Sequence, residues 1–159
     1  MSKTVVYMDG VFDLFHRGHL EAIKKAKAVR PDVYLIIGLC GDYEVEEYKR
    51  KPFFSEDDRY QILSSIKEVD QVIFPGPLVI TPEFMERHKI DLVVHGFSDM
   101  KDLIKQSEFF EQIKDKFETI PYYPPVSTSG LIKSGCARYG EKKLFIFVSQ
   151  INLYGSRFS

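Results

Sequence analysis

The sequence predicts an α/β fold of three layers, in which helices cover both faces of a five-stranded parallel sheet. Two observations carry this prediction. Short apolar segments of strand length alternate with helical segments along most of the 159 residues, and such alternation is typical of parallel sheets. The segment Val33–Leu39 is apolar almost throughout, as expected of a central strand that is buried on both faces.

The strands are predicted from apolar runs and the helices from their start signals. Ser55 followed by Asp58 is a helix-capping pattern. Thr81 is a predicted N-cap, because Pro82 follows it and proline is common at the first position of a helix. Apolar side chains at helical spacing extend these starts. The predicted strands are residues 4–8, 33–39, 69–74, 92–94 and 117–120, and the predicted helices are residues 20–28, 55–66, 82–88 and 102–116.

Composition limits the class of protein. A hydrophobic content of 44% in 159 residues suffices for one domain with its own core. The net charge of −1 gives no basic field for nucleic acid, and no apolar run approaches the ~18 residues of a membrane span. Cys40 and Cys136 have no metal-type spacing and are expected to be reduced. We therefore expect a soluble cytoplasmic protein without a stable membrane anchor.

Polar residues and glycines follow each predicted strand. Ligands of parallel α/β sheets lie beyond the carboxyl ends of the strands, so these residues are expected to meet at one rim of the sheet. They are Asp9 and Gly10, Gly41 and Asp42, Gly76 and Pro77, His95 and Gly96, and Ser127, Thr128 and Ser129.

The most informative segment is residues 10–19, GVFDLFHRGH, which joins the first strand to the first helix. His16 and His19 are three residues apart, so in a helical turn both rings face one side. Gly18 between them lets a phosphate approach the backbone, and a helix start offers free N–H groups and a positive dipole end. The pattern predicts a polyphosphate site. Two surface histidines are the plain alternative, and a zinc site would need a third ligand that nothing nearby supplies.

The stretch from Asp9 to His19 resembles the HxGH signature of the nucleotidyltransferase superfamily, in its cytidylyltransferase branch. Further segments resemble the choline-phosphate and ethanolamine-phosphate cytidylyltransferases in order and spacing, from about Val5 to Ile132. These segments are residues 34–42, 58–60, 69–72, 81–84, 90–91 and His95. The resemblance implies a Rossmann-like three-layer sandwich, the nucleotidyltransferase fold. It implies a catalytic domain over residues 1–135, followed by a tail over 136–159. The apolar run Leu144–Val148 in this tail predicts either an added strand or a dimer contact.

The resemblance also implies a reaction, in which CTP and a phospho-alcohol give a CDP-alcohol and pyrophosphate by in-line attack on the α-phosphorus. His16 and His19 would donate to phosphate oxygens, and Lys49 would bridge the reacting phosphates, with Lys51 as its neighbouring substitute. Asp13 is expected to support the site or to face the substrate. The implied catalytic residues are His16, His19 and Lys49. The implied nucleotide-binding residues are Asp9, Gly10, Val11, Phe12, Gly18, His95, Ser127, Thr128 and Ser129. The implied substrate-binding residues are Asp13, Lys49, Asp99 and Tyr122.

Several of these roles have alternatives. Arg59 either reaches the phosphates or pairs with a carboxylate. His95 stands where family members place a histidine beside the alcohol substrate, and it is otherwise a core histidine. The resemblance implies that Mg²⁺ is held largely by phosphates and water, without metal-ligating residues of the protein. The implied partners are CTP and a phospho-alcohol, with no nucleic acid. The implied oligomer is a homodimer.

The chain departs from the family pattern at three places. Residues 122–126 read YYPPV where the family carries an arginine that grips phosphate, and Lys133 or Arg138 would have to replace it. Gly96, Phe97 and Ser98 follow His95 where the family carries acidic residues. Leu78 stands where an aromatic residue is common, although Phe97, Asp99, Tyr122 and Tyr123 offer another cage for a quaternary ammonium.

The resemblance therefore implies a cytidylyltransferase that makes CDP-choline in phospholipid biosynthesis. CDP-ethanolamine is the close alternative, and glycerol 3-phosphate is a more distant acceptor. A catalytically silent nucleotide-binding paralogue is the alternative of another class, and the missing arginine motivates it.

Overall fold

A computed structural model describes residues 3–47 and 50–139 of the chain, the last of these by its backbone alone. The chain divides into two compact units, residues 1–125 and 126–159. The first unit holds the sheet, and the described part of the second holds one helix. Lys49 and the segment Leu144–Val148 lie outside the described residues. The predicted boundary at residue 135 falls inside the helix of the second unit.

The sheet has five strands, β1 (Thr4–Gly10), β2 (Val33–Leu39), β3 (Gln71–Ile73), β4 (Leu92–His95) and β5 (Phe117–Thr119). Their order is β3-β2-β1-β4-β5, and every neighbouring pair is parallel. The predicted α/β fold with its five-stranded parallel sheet is confirmed. The strand order reverses at β1, between β2 and β4, and such a reversal opens a crevice for ligands at the carboxyl ends of the strands.

Six α-helices flank or follow the strands: α1 (Arg17–Lys27), α2 (Asp42–Glu46), α3 (Glu56–Ser64), α4 (Pro82–Arg87), α5 (Met100–Gln106) and α6 (Thr128–Tyr139), counted over the described residues. The predicted caps are confirmed, since the Ser55 hydroxyl accepts from the Asp58 N–H at 3.1 Å and the Thr81 hydroxyl accepts from the Phe84 N–H at 3.2 Å. The short helix α2 was not predicted, because only Val45 within it is buried.

The predicted helix over residues 102–116 is wrong in its second half. Helix α5 ends at Gln106, and residues Ser107–Lys116 form a 3₁₀ segment with a kink at Ile113. A 3₁₀ helix repeats every three residues, which brings Phe110 and Ile113 to the same side, and both are buried in the core. The burial of these two side chains accompanies the change of helix type.

The core consists of two clusters, one on each face of the sheet. Val6 and Met8 of β1 belong to the cluster that contains Ile23 of α1. Tyr7 of β1 belongs to the other cluster, with Met85 of α4. Because side chains alternate along a strand, Asp9 lies on the α4 face of the sheet.

Gly38 is required by a close approach of Tyr7. A Cβ atom at Gly38 would lie 1.7 Å from the Tyr7 hydroxyl oxygen. Gly76 in turn packs on the backbone of Gly38, where its own Cβ would lie 2.9 Å from the Gly38 carbonyl carbon. Three segments of the chain therefore meet here without space for another atom.

We predict that Gly38→Ala lowers the free energy of unfolding by about 2–3 kcal/mol, because the added methyl group forces a buried ring and a strand apart. Urea denaturation measures this change. Gly96→Ala is the matched control, since its Cβ would meet Ile120 at an ordinary 3.5 Å. Equal stability of the two variants would contradict the packing described for Gly38.

Candidate active site

Asp9 and His95 form a hydrogen-bonded couple where β1 and β4 end. Asp9 Oδ1 lies 2.9 Å from His95 Nδ1, and the two side chains are only 8% and 11% exposed. The His95 ring contacts Phe97 and Phe110 with ring centroids 4.7 and 5.1 Å away. The couple sits at the reversal of strand order, where a ligand is expected. His95 is thus both packed in the core and placed at the rim.

The turn from β1 to α1 has an unusual backbone. Phe12 and Leu14 have φ angles of 55° and 47°, a left-handed conformation that costs free energy in residues other than glycine. The ring of Phe12 is buried and lies against Gly10, where a Cβ would approach Phe12 Cε2 to 2.8 Å. Tertiary packing therefore holds this turn in a shape that the sequence alone does not favour.

The carboxylate of Asp13 fixes the same turn. Its oxygens accept from the backbone N–H groups of Leu14, Phe53 and Phe54, each at 3.0 Å, and from Arg50 Nη2 at 2.9 Å. The side chain is 5% exposed. Asp13 thus ties residues 50–54 to the β1–α1 turn. This geometry favours the supporting role, and a direct contact with substrate stays a prediction.

Arg59 binds four groups of the rim and is fully buried. Its guanidinium donates to the carbonyls of Val11 at 2.7 Å, Cys40 at 2.9 Å and Phe54 at 3.2 Å. It pairs with Asp42 Oδ1 at 2.5 Å. Arg59 was expected either to reach the phosphates or to pair with a carboxylate, and in the structure it pairs with the carboxylate of Asp42. Arg59 joins the ends of β1 and β2 to the start of α3, so it holds the rim in place.

His16 and His19 lie together at the start of α1, and their rings stack with centroids 3.9 Å apart. His16 is the N-cap residue, and its Nδ1 accepts from the Gly18 N–H at 3.0 Å. His19 Nδ1 accepts from the His16 N–H at 3.2 Å. The prediction that both rings face one side is confirmed.

These two backbone bonds determine where the ring protons are. A nitrogen that accepts from N–H cannot itself carry a proton, so each neutral ring carries its proton on Nε2. Burial lowers the pKa of His16. Burial, followed by the neighbouring His16 ring, lowers the pKa of His19 to about 3, against a smaller opposing effect of Asp13. Near neutral pH the pair therefore presents two neutral Nε2–H donors.

The start of α1 suits an anion for two further reasons. The first turn of α1 contains no acidic residue, whereas the first turn of α3 contains Glu56, Asp57 and Asp58. The positive end of the α1 dipole is therefore not neutralised by a side chain. The two Nε2–H groups and this helix end are together chemically suited to phosphate oxygens, and their binding of phosphate stays a prediction.

The remaining predicted residues lie in several places. Gly10 and Val11 use their carbonyls to bind Cys40 N–H and Arg59. Asp99 is the N-cap of α5 and accepts from the Asp102 N–H at 2.9 Å. Burial, then the negative charges of Asp102 and Asp99, raises the pKa of Tyr122. Roles for Asp99 and Tyr122 in substrate binding stay predictions.

The predicted nucleotide-binding residues Ser127, Thr128 and Ser129 belong to the second unit. Ser127 caps α6, since its hydroxyl accepts from the Gly130 N–H at 3.0 Å, and Thr128 and Ser129 open the helix. A helix therefore starts at these residues. Contact of Ser127, Thr128 and Ser129 with phosphate stays a prediction, as does the role of Lys49. The substitute Lys51 is 76% exposed and lies 3.7 Å from Glu46.

The rim carboxylates do not fit the role of Mg²⁺ ligands, because each is bound to a basic side chain. Asp9 binds His95, Asp13 binds three N–H groups and Arg50, and Asp42 binds Arg59. Within the described ranges no group of three or more His, Cys, Asp or Glu residues is arranged to hold a metal ion. The same part of the chain contains no helix that is long and apolar enough to cross a membrane.

Comparison with known proteins identifies the family. Residues 7–134 match the family model described as cytidylyltransferase-like. The chain belongs to this family. It is 40% identical over 130 residues to choline-phosphate cytidylyltransferase 2 of Arabidopsis thaliana, an alignment that covers 80% of this chain and 43% of the relative.

Other members of this family are similar at comparable levels. The probable choline-phosphate cytidylyltransferase of Schizosaccharomyces pombe is 48% identical over 90 residues, covering 57% of this chain and 25% of the relative. The ethanolamine-phosphate cytidylyltransferase of Mus musculus is 32% identical over 129 residues, covering 80% of this chain and 31% of the relative. The chain thus spans less than half the length of these relatives.

A solved structure supports the fold. The lipopolysaccharide core biosynthesis protein of Thermoplasma volcanium superposes with a TM-score of 0.59 at 21% identity, covering 77% of this chain and 98% of that one. At this identity the likeness concerns the fold alone.

We predict that the buried histidine pair makes the protein less stable in mild acid. The unfolded chain binds a proton at His19 near its ordinary pKa of 6.5, whereas the folded chain does so only near 3. Stability is therefore complete above pH 6.5 and falls as the pH drops below it, by about 2 kcal/mol between pH 7 and 5. Denaturation at a series of pH values measures this loss.

His19→Asn is the matched control, because its amide oxygen can still accept the His16 N–H but does not titrate. A decline of equal size between pH 7 and 5 in both proteins would contradict the prediction.

Proposed function

We propose that the protein is a cytidylyltransferase that converts CTP and phosphocholine to CDP-choline and pyrophosphate. The observation that carries the proposal is the stacked pair His16 and His19, whose Nε2–H groups lie at the unneutralised start of α1. Membership of the cytidylyltransferase-like family and the similarity to choline-phosphate cytidylyltransferases support it. Phosphatidylcholine synthesis is the process that this product would serve.

The proposed reaction needs no covalent intermediate. A phosphate oxygen of phosphocholine attacks the α-phosphorus of CTP in line with the bond to the leaving pyrophosphate. Negative charge grows on the pyrophosphate as that bond breaks. His16 and His19 donate hydrogen bonds to it, and such preorganised donors stabilise a transition state because they need no reorganisation. Lys49, Ser127, Thr128 and Ser129 are proposed to hold further phosphate oxygens.

In-line attack also places the acceptor. The nucleophile and the leaving group lie on opposite sides of the phosphorus, and the histidine pair belongs to the α1 face of the sheet. The acceptor then enters from the α4 face, where Asp9 and His95 form their 2.9 Å couple. The carboxylate of Asp9, with its ring neighbours, supplies the negative charge that a cationic head group requires. We assign Asp9 and His95 to this acceptor side, in place of the nucleotide-binding role that the resemblance implies for them.

Two further candidates rest on specific observations. Leu78 in place of an aromatic residue favours a smaller head group, and CDP-ethanolamine is the product in that case. Residues 122–126, YYPPV, lack the family arginine, which favours a nucleotide-binding paralogue without turnover. We further propose that Mg²⁺ is held by the triphosphate and water, that the protein is a homodimer, and that it acts in the cytoplasm.

Pyrophosphate release from CTP tests this proposal. We expect turnover with phosphocholine, slower turnover with phosphoethanolamine, and little with glycerol 3-phosphate, because only the first two carry a cation for Asp9. Fastest turnover with phosphoethanolamine would support the ethanolamine enzyme. Binding of CTP without pyrophosphate release from any acceptor would support the silent paralogue and overturn the proposal.

Substitutions of His19 connect the activity to the site. His19→Asn keeps an acceptor for the His16 N–H and removes the outward donor, so we expect a loss of about 10²- to 10³-fold in kcat with the fold intact. His19→Gln, whose amide nitrogen can reach the Nε2 position, is expected to retain part of the activity. Wild-type turnover by His19→Asn would remove this ring from the mechanism.

A further inference from the structure

The hydroxyl of Tyr7 is a buried polar group without a hydrogen bond. The side chain is 0% exposed, and no atom of residues 3–47 or 50–139 bonds the hydroxyl oxygen. The ring packs edge-to-face on Phe84, with centroids 5.2 Å apart, and phenylalanine would make the same contact. Buried hydroxyl groups normally have a partner, so the packing of the ring does not explain why the residue is tyrosine.

The position of the hydroxyl relates it to the acceptor side of the proposed site. It lies against Gly38, where a Cβ would come within 1.7 Å of it, and the β1–β2 register pairs Gly38 with Asp9. Tyr7 and Asp9 share one face of β1, since they are two residues apart. The hydroxyl therefore lies on the same face of the sheet as the Asp9–His95 couple, the face that α4 covers.

The electrostatic surroundings keep the hydroxyl protonated. Burial, then the Asp9 carboxylate, then Cys40, raises the pKa of Tyr7 well above its ordinary value. A protonated phenol beside a carboxylate is a hydrogen-bond donor, and a bond from a hydroxyl to a carboxylate is strengthened by the charge. His95 holds only Oδ1 of Asp9, which leaves the second carboxylate oxygen as the natural acceptor.

We propose that Tyr7 is a positioning residue of the acceptor pocket, whose hydroxyl donates to the Asp9 carboxylate in the acceptor-bound protein. The inference rests on the proposed function, because it takes Asp9 to face the acceptor. A bound head group displaces water from the outer side of Asp9, and Tyr7 then supplies the lost hydrogen bond from the inner side. The carboxylate is thereby held between His95, Tyr7 and the cation of the acceptor.

Tyr7→Phe tests the inference because it removes only the hydroxyl. We expect the KM for phosphocholine to rise about tenfold, while kcat and the KM for CTP change by less than about threefold. The unliganded variant should unfold at the same temperature or higher, since it loses an unpaired buried hydroxyl. Tyr34→Phe is the matched control: Tyr34 lies on β2 against the same core cluster, and its variant should keep both KM values.

A spectroscopic measurement gives a readout that is independent of turnover. The sequence contains nine tyrosines and no tryptophan, so the ultraviolet difference spectrum on adding CDP-choline reports tyrosine surroundings. We expect a shift typical of a newly bonded phenol in the wild type and in Tyr34→Phe, and its loss in Tyr7→Phe.

Any of three outcomes would overturn the inference. The first is an unchanged KM for phosphocholine in Tyr7→Phe, and the second is a kinetic loss together with a lower unfolding temperature of the unliganded variant. The third is an identical difference spectrum in the wild type and in Tyr7→Phe. Failure of the proposed function is a separate result. The wild type would then release no pyrophosphate with any phospho-alcohol, and the difference spectra would still decide the role of Tyr7.

Discussion

Two backbone hydrogen bonds at the start of α1 govern the chemistry of the candidate site. The Gly18 N–H donates to His16 Nδ1, and the His16 N–H donates to His19 Nδ1. The same bonds cap the helix and fix the proton of each ring on Nε2. Formation of the helix therefore also orients the two Nε2–H groups that are proposed to donate hydrogen bonds to phosphate. Because burial also lowers the pKa of both rings, the site presents oriented neutral donors whose strength is greatest where negative charge develops.

The rest of the rim holds this helix start in place. Asp13 binds residues 50–54 to the strained β1–α1 turn, and Arg59 joins the carbonyls of Val11 and Cys40 to Asp42. A buried charge is costly unless it is paired, so each of these groups requires its partners in one arrangement. The opposite face of the sheet presents Asp9 and His95. The proposed in-line transfer would use both faces at the edge of the sheet where strand order reverses.

The fold and part of the site follow from local sequence patterns. The Ser55 and Thr81 caps and the apolar run of β2 were predicted because each depends on neighbours in sequence. The stacking of His16 and His19 follows from their spacing of three. The sequence did not predict that Asp13 binds Phe53 and Phe54, or which alternative Arg59 adopts, because their partners lie 17 to 48 residues away. The Tyr7 hydroxyl, which has no hydrogen-bond partner among the described residues, was missed as well. A tyrosine in an apolar strand that ends in Asp9 and Gly10 is a usable signal. The kink at Ile113 depends on tertiary packing.

The tautomer of the two imidazoles is the most direct test of this account. Nitrogen NMR of protein with isotope-labelled histidine distinguishes protonated from unprotonated ring nitrogens, and His16→Asn and His19→Asn variants assign the signals. The account predicts neutral rings near pH 7 with the proton of His16 and of His19 on Nε2, and a shift of these Nε2–H signals when pyrophosphate is added. A proton on Nδ1 of either ring, or cationic rings at that pH, would contradict it.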